Sequence, residues 1–77
     1  MTNINKISNP RISHDTLPMI DLDVETEKYG VLPCTVCPAD FTPYRYNGEE
    51  TSNSDLYQRA LNGEFGPIAA LQSPNSI

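Results

Sequence analysis

Apolar residues along this chain cluster with helical spacing in only one stretch, 52–71, SNSDLYQRALNGEFGPIAAL. Ser52 or Asn53 can cap a helix, and Ser52 with Asp55 three residues on has the spacing of a capping box, which satisfies backbone N–H groups left open at a helix start. The spacing predicts a helix from about Asp55 to Asn62, with Leu56, Tyr57, Ala60 and Leu61 on one face and Gln58, Arg59 and Asn62 turned away. Gly63 can take the left-handed conformation that ends it. Pro67 suits the first turn of a second short helix through Ile68 to Leu71, closed by Ser73-Pro74.

A second pattern lies at Ile20-Asp21-Leu22-Asp23-Val24-Glu25-Thr26-Glu27. As a strand it places Ile20, Leu22, Val24 and Thr26 on one face and four carboxylates on the other; as a helix it pairs Ile20 with Val24 and scatters the acids. Pattern alone leaves both open. Residues 1–19 hold Ile4, Ile7, Ile12 and Leu17 apart among polar residues, and Pro10 and Pro18 forbid one continuous helix, so this segment reads as an extended polar arm. Residues 20–50 read as an extended segment, 51–72 as a helical docking segment and 73–77 as a tail. Within the second of these, Asn47-Gly48 turns the chain, and Glu49 to Ser54 reads as a polar loop.

Composition decides what such elements can build. Seven prolines, at 10, 18, 33, 38, 43, 67 and 74, exclude long regular elements from most of the chain, and Leu, Ile, Val and Phe make up little more than a fifth of its 77 residues, close to the level of disordered chains. The expected fold is therefore mostly irregular and extended, with one or two short α-helices near the C-terminus and little independent hydrophobic core. A helix shorter than about 12 residues is marginal in water, while burying a large apolar side chain contributes roughly 1.5 to 3 kcal/mol. A helix with this face needs a surface, and a larger protein partner is the expected source.

Charge narrows the partner. The formal net charge is −5, with basic residues scattered singly at 6, 11, 28, 45 and 59, so there is no stripe to neutralise a phosphate backbone and direct nucleic-acid binding is not expected. No apolar run approaches the roughly 20 residues that span a bilayer, and no signal peptide is evident. The expected location is the cytoplasm, not the secretory route.

Three constellations invite chemistry. His14-Asp15 has the elements of an oriented imidazole, but no nucleophile has a defined place beside it. The acids from Asp21 to Glu27 lack the glycine (Thr26 stands there) and final acid (Leu32) of a calcium loop. Cys34-Thr35-Val36-Cys37 offers two thiolates where zinc wants four ligands, so a metal at Cys34 and Cys37 requires other donors or another copy of the chain; no cofactor is expected. Phe41, Tyr44 and Tyr46 form an aromatic segment able to anchor an interface, since each ring can bury about 150 to 250 Å².

The order of three patches resembles a known family. Asp21 to Val31, ending Lys28-Tyr29-Gly30-Val31, then Ala39-Asp40-Phe41-Thr42, then Asp55-Leu56-Tyr57-Gln58-Arg59-Ala60-Leu61, resembles the D-x-N-x-x-x-x-(Y/F)-G, Y-x-DFT and D-Y-x-x-AL patches of the internal scaffolding proteins of microviruses, small single-stranded DNA phages. This chain sets C-x-x-C between the first two patches and NGEETSN before the third. The resemblance implies a small helper on the inner face of a coat protein present in many copies, with no active site. The expected role is that of a non-enzymatic viral structural or assembly protein, scaffolding or minor capsid component, which orders on coat protein through Phe41, Tyr44, Tyr46, Leu56, Tyr57, Ala60, Leu61, Phe65, Ile68 and Leu71. The alternatives are a small metal or redox module at the C-x-x-C and a regulatory protein that inhibits a cellular enzyme.

Overall fold

The structure, a computed structural model, describes residues 2–70. It overturns the expectation of a mostly irregular chain. Five strands, β1 (Thr2–Ile12), β2 (Ile20–Thr26), β3 (Gly30–Val36), β4 (Pro43–Tyr46) and β5 (Glu49–Ser52), precede one helix, α1 (Asn53–Leu61). They form one mixed sheet in the order β3-β2-β1-β4-β5. Neighbours are antiparallel except β1 and β4, which run parallel.

The supposed arm is the central strand. Ile4, Ile7 and Ile12 are separated by odd intervals, which in a regular strand would send them to alternating faces. The β1–β2 register shifts between Ile4 and Lys6 and again between Ser8 and Arg11, and each irregularity restores the phase. Ile4, Ile7 and Ile12 consequently stand opposite Thr26, Val24 and Ile20 of β2. Asn9, at φ 60, marks the second irregularity. The prolines fit the sheet rather than breaking it: Pro10 lies at that irregularity, Pro43 opens β4 and Pro33 sits on edge strand β3, the places where a missing N–H is tolerated.

Strand β2 shows the alternation as a strand, with Ile20, Leu22, Val24 and Thr26 buried. Asp21, Asp23 and Glu25 lie on the opposite, open face beside Arg11, Ser8 and Lys6 of β1, and Arg11 pairs with Asp23 at 3.1 Å. The β4–β5 hairpin turns at Asn47 (φ 50) and Gly48 (φ 84), the two consecutive positive angles of the tight turn that Asn-Gly favours. Glu49–Ser52, expected as loop, is the strand this turn sends back along β4.

Helix α1 begins two residues before the expected start, and the Ser52 hydroxyl accepts from the Asp55 N–H at 3.1 Å. It follows β5 directly in the chain and touches β3, so it joins the two edges of the sheet. Four strand steps on a flat sheet span about 19 Å, more than a helix with its side chains covers, so the sheet must coil around α1. The Cys34 sulfur of β3 lies 3.9 Å from the Tyr44 hydroxyl of β4, although the two strands are three steps apart in the order. Inside this wrap Ile4, Ile7, Ile20, Leu22, Val24, Val36, Leu56 and Ala60 form a buried core. The chain thus has its own core, because two register shifts bring scattered isoleucines to one face and the helix covers them.

The expected second helix does not form within the described residues. After Gly63 (φ 81) the chain is fastened by Phe65, whose ring meets Tyr46 edge-on at 6.0 Å, with the Arg59 guanidinium over both rings and hydrogen-bonded to Glu64 at 2.6 Å. Ala69 then bridges β1 in parallel: its N–H donates to the Pro10 carbonyl and its carbonyl accepts from the Ile12 N–H, each at 2.9 Å. Leu71, Ser73 and Pro74 lie outside the described residues.

Candidate docking site

Helix α1 starts with N–H groups that have no partner within the helix, and the segment between β3 and β4 supplies partners for them. The Asn53 N–H donates to the Thr42 carbonyl at 2.9 Å and the Ser54 N–H to the Asp40 carbonyl at 2.6 Å. The Ser54 hydroxyl donates to the Pro38 carbonyl at 2.7 Å. The Asn53 side chain, which is 2% exposed, serves two more groups: its carbonyl accepts from the Cys37 N–H at 2.8 Å, and its amide donates to the Thr35 carbonyl at 3.1 Å.

A local turn completes the loop. One Asp40 carboxylate oxygen accepts from both the N–H and the hydroxyl of Thr42, at 2.9 and 2.6 Å, and these bonds hold the Asp40 carboxyl below the usual carboxylate range. Between these two residues stands Phe41, 73% exposed. An aromatic ring normally seeks cover. Here it is left in water on a loop whose backbone is tied at Cys37, Pro38, Asp40 and Thr42.

The other residues expected to bind a partner divide into groups. Leu56 and Ala60 are fully buried in the chain's own core. Tyr44, Tyr46, Tyr57, Phe65 and Ile68 pack against that core and are partly buried. Leu61 is 50% exposed at the helix end, and Leu71 falls outside the described residues. Helical periodicity showed which face is apolar, but the surface it meets is the chain's own sheet. Tyr29, Val31 and Leu32, exposed along the β2–β3 hairpin, were not among the expected docking residues, although Val31-Leu32 next to a glycine turn carried the signal. Pro33 has no N–H to offer an added strand and the Thr35 carbonyl is taken by Asn53, so the free edge of β3 is poorly suited to strand pairing.

Cys34 and Cys37 are both free and partly buried. Thr35 and Val36 between them are extended, which sets the two Cα atoms about 10 Å apart, beyond the roughly 7 Å limit for a disulfide. Burial pushes the Cys34 thiol up, with the Tyr44 hydroxyl opposing that effect. The neutral thiol is then the dominant form near pH 7, and the thiolate is the reactive species. In the folded protein Cys34 should therefore react with iodoacetamide at pH 7 roughly tenfold or more slowly than in urea, read by mass spectrometry of quenched aliquots; equal rates would place it outside the wrap. Among the described residues no group of three or more His, Cys, Asp or Glu side chains is placed to share a metal ion.

Two grooves of about 350 and 410 Å³ open elsewhere, one beside Thr2, Lys28 and Tyr29, the other beside Arg11, Asp21 and Ala69. Neither borders Phe41. Comparison with family models, curated proteins and solved structures finds no match for this chain.

Proposed function

We propose that this chain is a non-enzymatic assembly protein that docks, already folded, on a larger protein partner by inserting Phe41 into a pocket of that partner. The observation that carries the reading is Phe41 itself: the most exposed large apolar side chain among the described residues sits on a loop held by hydrogen bonds to the helix start. Fixing a loop before binding removes an ordering cost that a flexible loop would meet on association, and buried aromatic anchors dominate the energetics of many interfaces. The partner class we put forward is a viral coat protein. The Ala39-Asp40-Phe41-Thr42 patch, one of the three that resemble the microvirus scaffolding proteins, falls on this same loop.

Replacing Phe41 with a photo-cross-linking phenylalanine analogue during assembly in the native host, followed by mass spectrometry of adducts, should identify one structural protein. Phe41→Ala should then weaken binding to that purified partner by roughly thirtyfold or more, the effect of losing about 2 kcal/mol at an interface anchor. Its unfolding temperature should barely change, because substitutions at exposed sites usually stay within about 0.5 kcal/mol. Adducts from position 31 or 61 with none from position 41 would move the interface to the hairpin or the helix end.

A further inference from the structure

We infer that His14 makes the loop between β1 and β2 a pH-gated segment, closed while the imidazole is neutral and released when it takes up a proton. The Nδ1 atom of His14 lies 3.2 Å from the backbone nitrogens of both Thr16 and Leu17. A backbone N–H can only donate, so Nδ1 must be an acceptor, and the imidazole is neutral with its proton on Nε2. A second proton can enter only at Nδ1. That nitrogen then becomes a donor, both amides lose their acceptor, and the Asp15 carboxylate, 3.3 Å from the same atom, is the partner that gains.

The surroundings leave this exchange open to solvent. The His14 side chain is 46% exposed and that of Asp15 is 72%. Among the described residues Asp15, on the same loop, is the charged group against the imidazole. On the adjoining strands Arg11 is engaged with Asp23 at 3.1 Å, and Asp21 accepts from the Thr35 hydroxyl. Histidine is the side chain whose ordinary titration falls between pH 5 and 8. The base of the loop is closed independently by the Ser13 N–H donating to the Met19 carbonyl at 3.1 Å, so release is confined to residues 14–18, which carry the exposed Leu17. The Thr16 hydroxyl is also 3.2 Å from Nδ1. This is not a catalytic relay, which requires hydroxyl and carboxylate on opposite ring nitrogens; here both approach the same one.

The test is amide exchange and nitrogen-15 spectra of the intact chain from pH 8 to pH 5. The Thr16 and Leu17 resonances should titrate together with the His14 ring protons, and their protection factors should fall about threefold to tenfold across that midpoint, as for one exposed hydrogen bond lost. The Ser13 amide should keep its protection. In His14→Gln, whose side chain does not titrate, the Thr16 and Leu17 response should vanish. Protection unchanged through the imidazole titration of the natural chain would overturn the inference, as would the same response persisting in H14Q, which would assign it to the Asp15 carboxylate.

Discussion

Leu56→Asp should yield a chain that does not fold, while Leu61→Asp five residues on should remain folded. Leu56 is fully buried where α1 meets the sheet, whereas Leu61 is half exposed. Truncating a buried leucine to alanine costs about 2 to 5 kcal/mol, and a carboxylate in that position adds the penalty of an unpaired polar or charged group. A domain of this size has a total stability of roughly 4 to 10 kcal/mol, so the first substitution consumes most or all of it. The second should stay within about 1 kcal/mol. Far-ultraviolet circular dichroism with thermal melts separates the two: a native-like melt for the Leu56 variant would mean that α1 does not rest on the sheet.

Asn53→Ala should be the most damaging change of a polar residue. It leaves the Thr35 carbonyl and the Cys37 N–H without the partner they share, at about 1 to 3 kcal/mol for each unsatisfied group, offset by roughly half a kcal/mol of improved helix propensity. The net loss of roughly 2 to 5 kcal/mol corresponds to a melting temperature at least about 10 °C lower, since 1 kcal/mol moves a domain of this size by about 4 to 8 °C. The Cys37 amide should also lose its exchange protection. Asn53→Asp keeps the acceptor for Cys37 but sets a carboxylate oxygen against the Thr35 carbonyl, so it should not rescue the loop. An unchanged melting temperature for Asn53→Ala would show that the loop is held without the Asn53 side chain.

How much of this could be read from residues alone depended on whether each pattern was local. The helix was legible because its cap, apolar face and glycine stop lie within a dozen residues, and the Asn47-Gly48 turn because its dihedral demand is written in two. Strand β2 was legible as one of two readings; only its pairing with β1 and β3 removes the helical one. Strand β1 was hidden, since two irregularities re-phase its isoleucines and such shifts depend on the partner strand. Strand β5, Glu-Glu-Thr-Ser, has no apolar signal and exists because the hairpin returns it along β4. Pro10, Pro43 and Pro33 misled most: counted as breakers, they lie at an irregularity, a strand start and an edge.

For the candidate docking site, Phe41 stood out in the sequence by residue type alone. The fixed loop that makes it a candidate was not legible, because the bonds that fix that loop come from Asn53 and Ser54, more than ten residues away along the chain. Asn53 read only as one of two capping candidates, and Ser52 takes that role. Leu56 and Ala60 read as docking residues because a surface for the helix was visible in the sequence only as a requirement, and the chain meets that requirement itself.

On this reading the free chain is already folded and presents Phe41 on a fixed loop. Amide hydrogen exchange on the isolated monomer tests it most directly. A sheet coiled around α1 predicts widely dispersed amide resonances, slow exchange through Ile20–Thr26, and protection at Cys37, Asn53 and Ser54, all surviving in Phe41→Ala. Narrow dispersion with exchange at the rate of an unstructured chain, and order appearing only when a partner is added, would contradict it and return the chain to one that folds on binding.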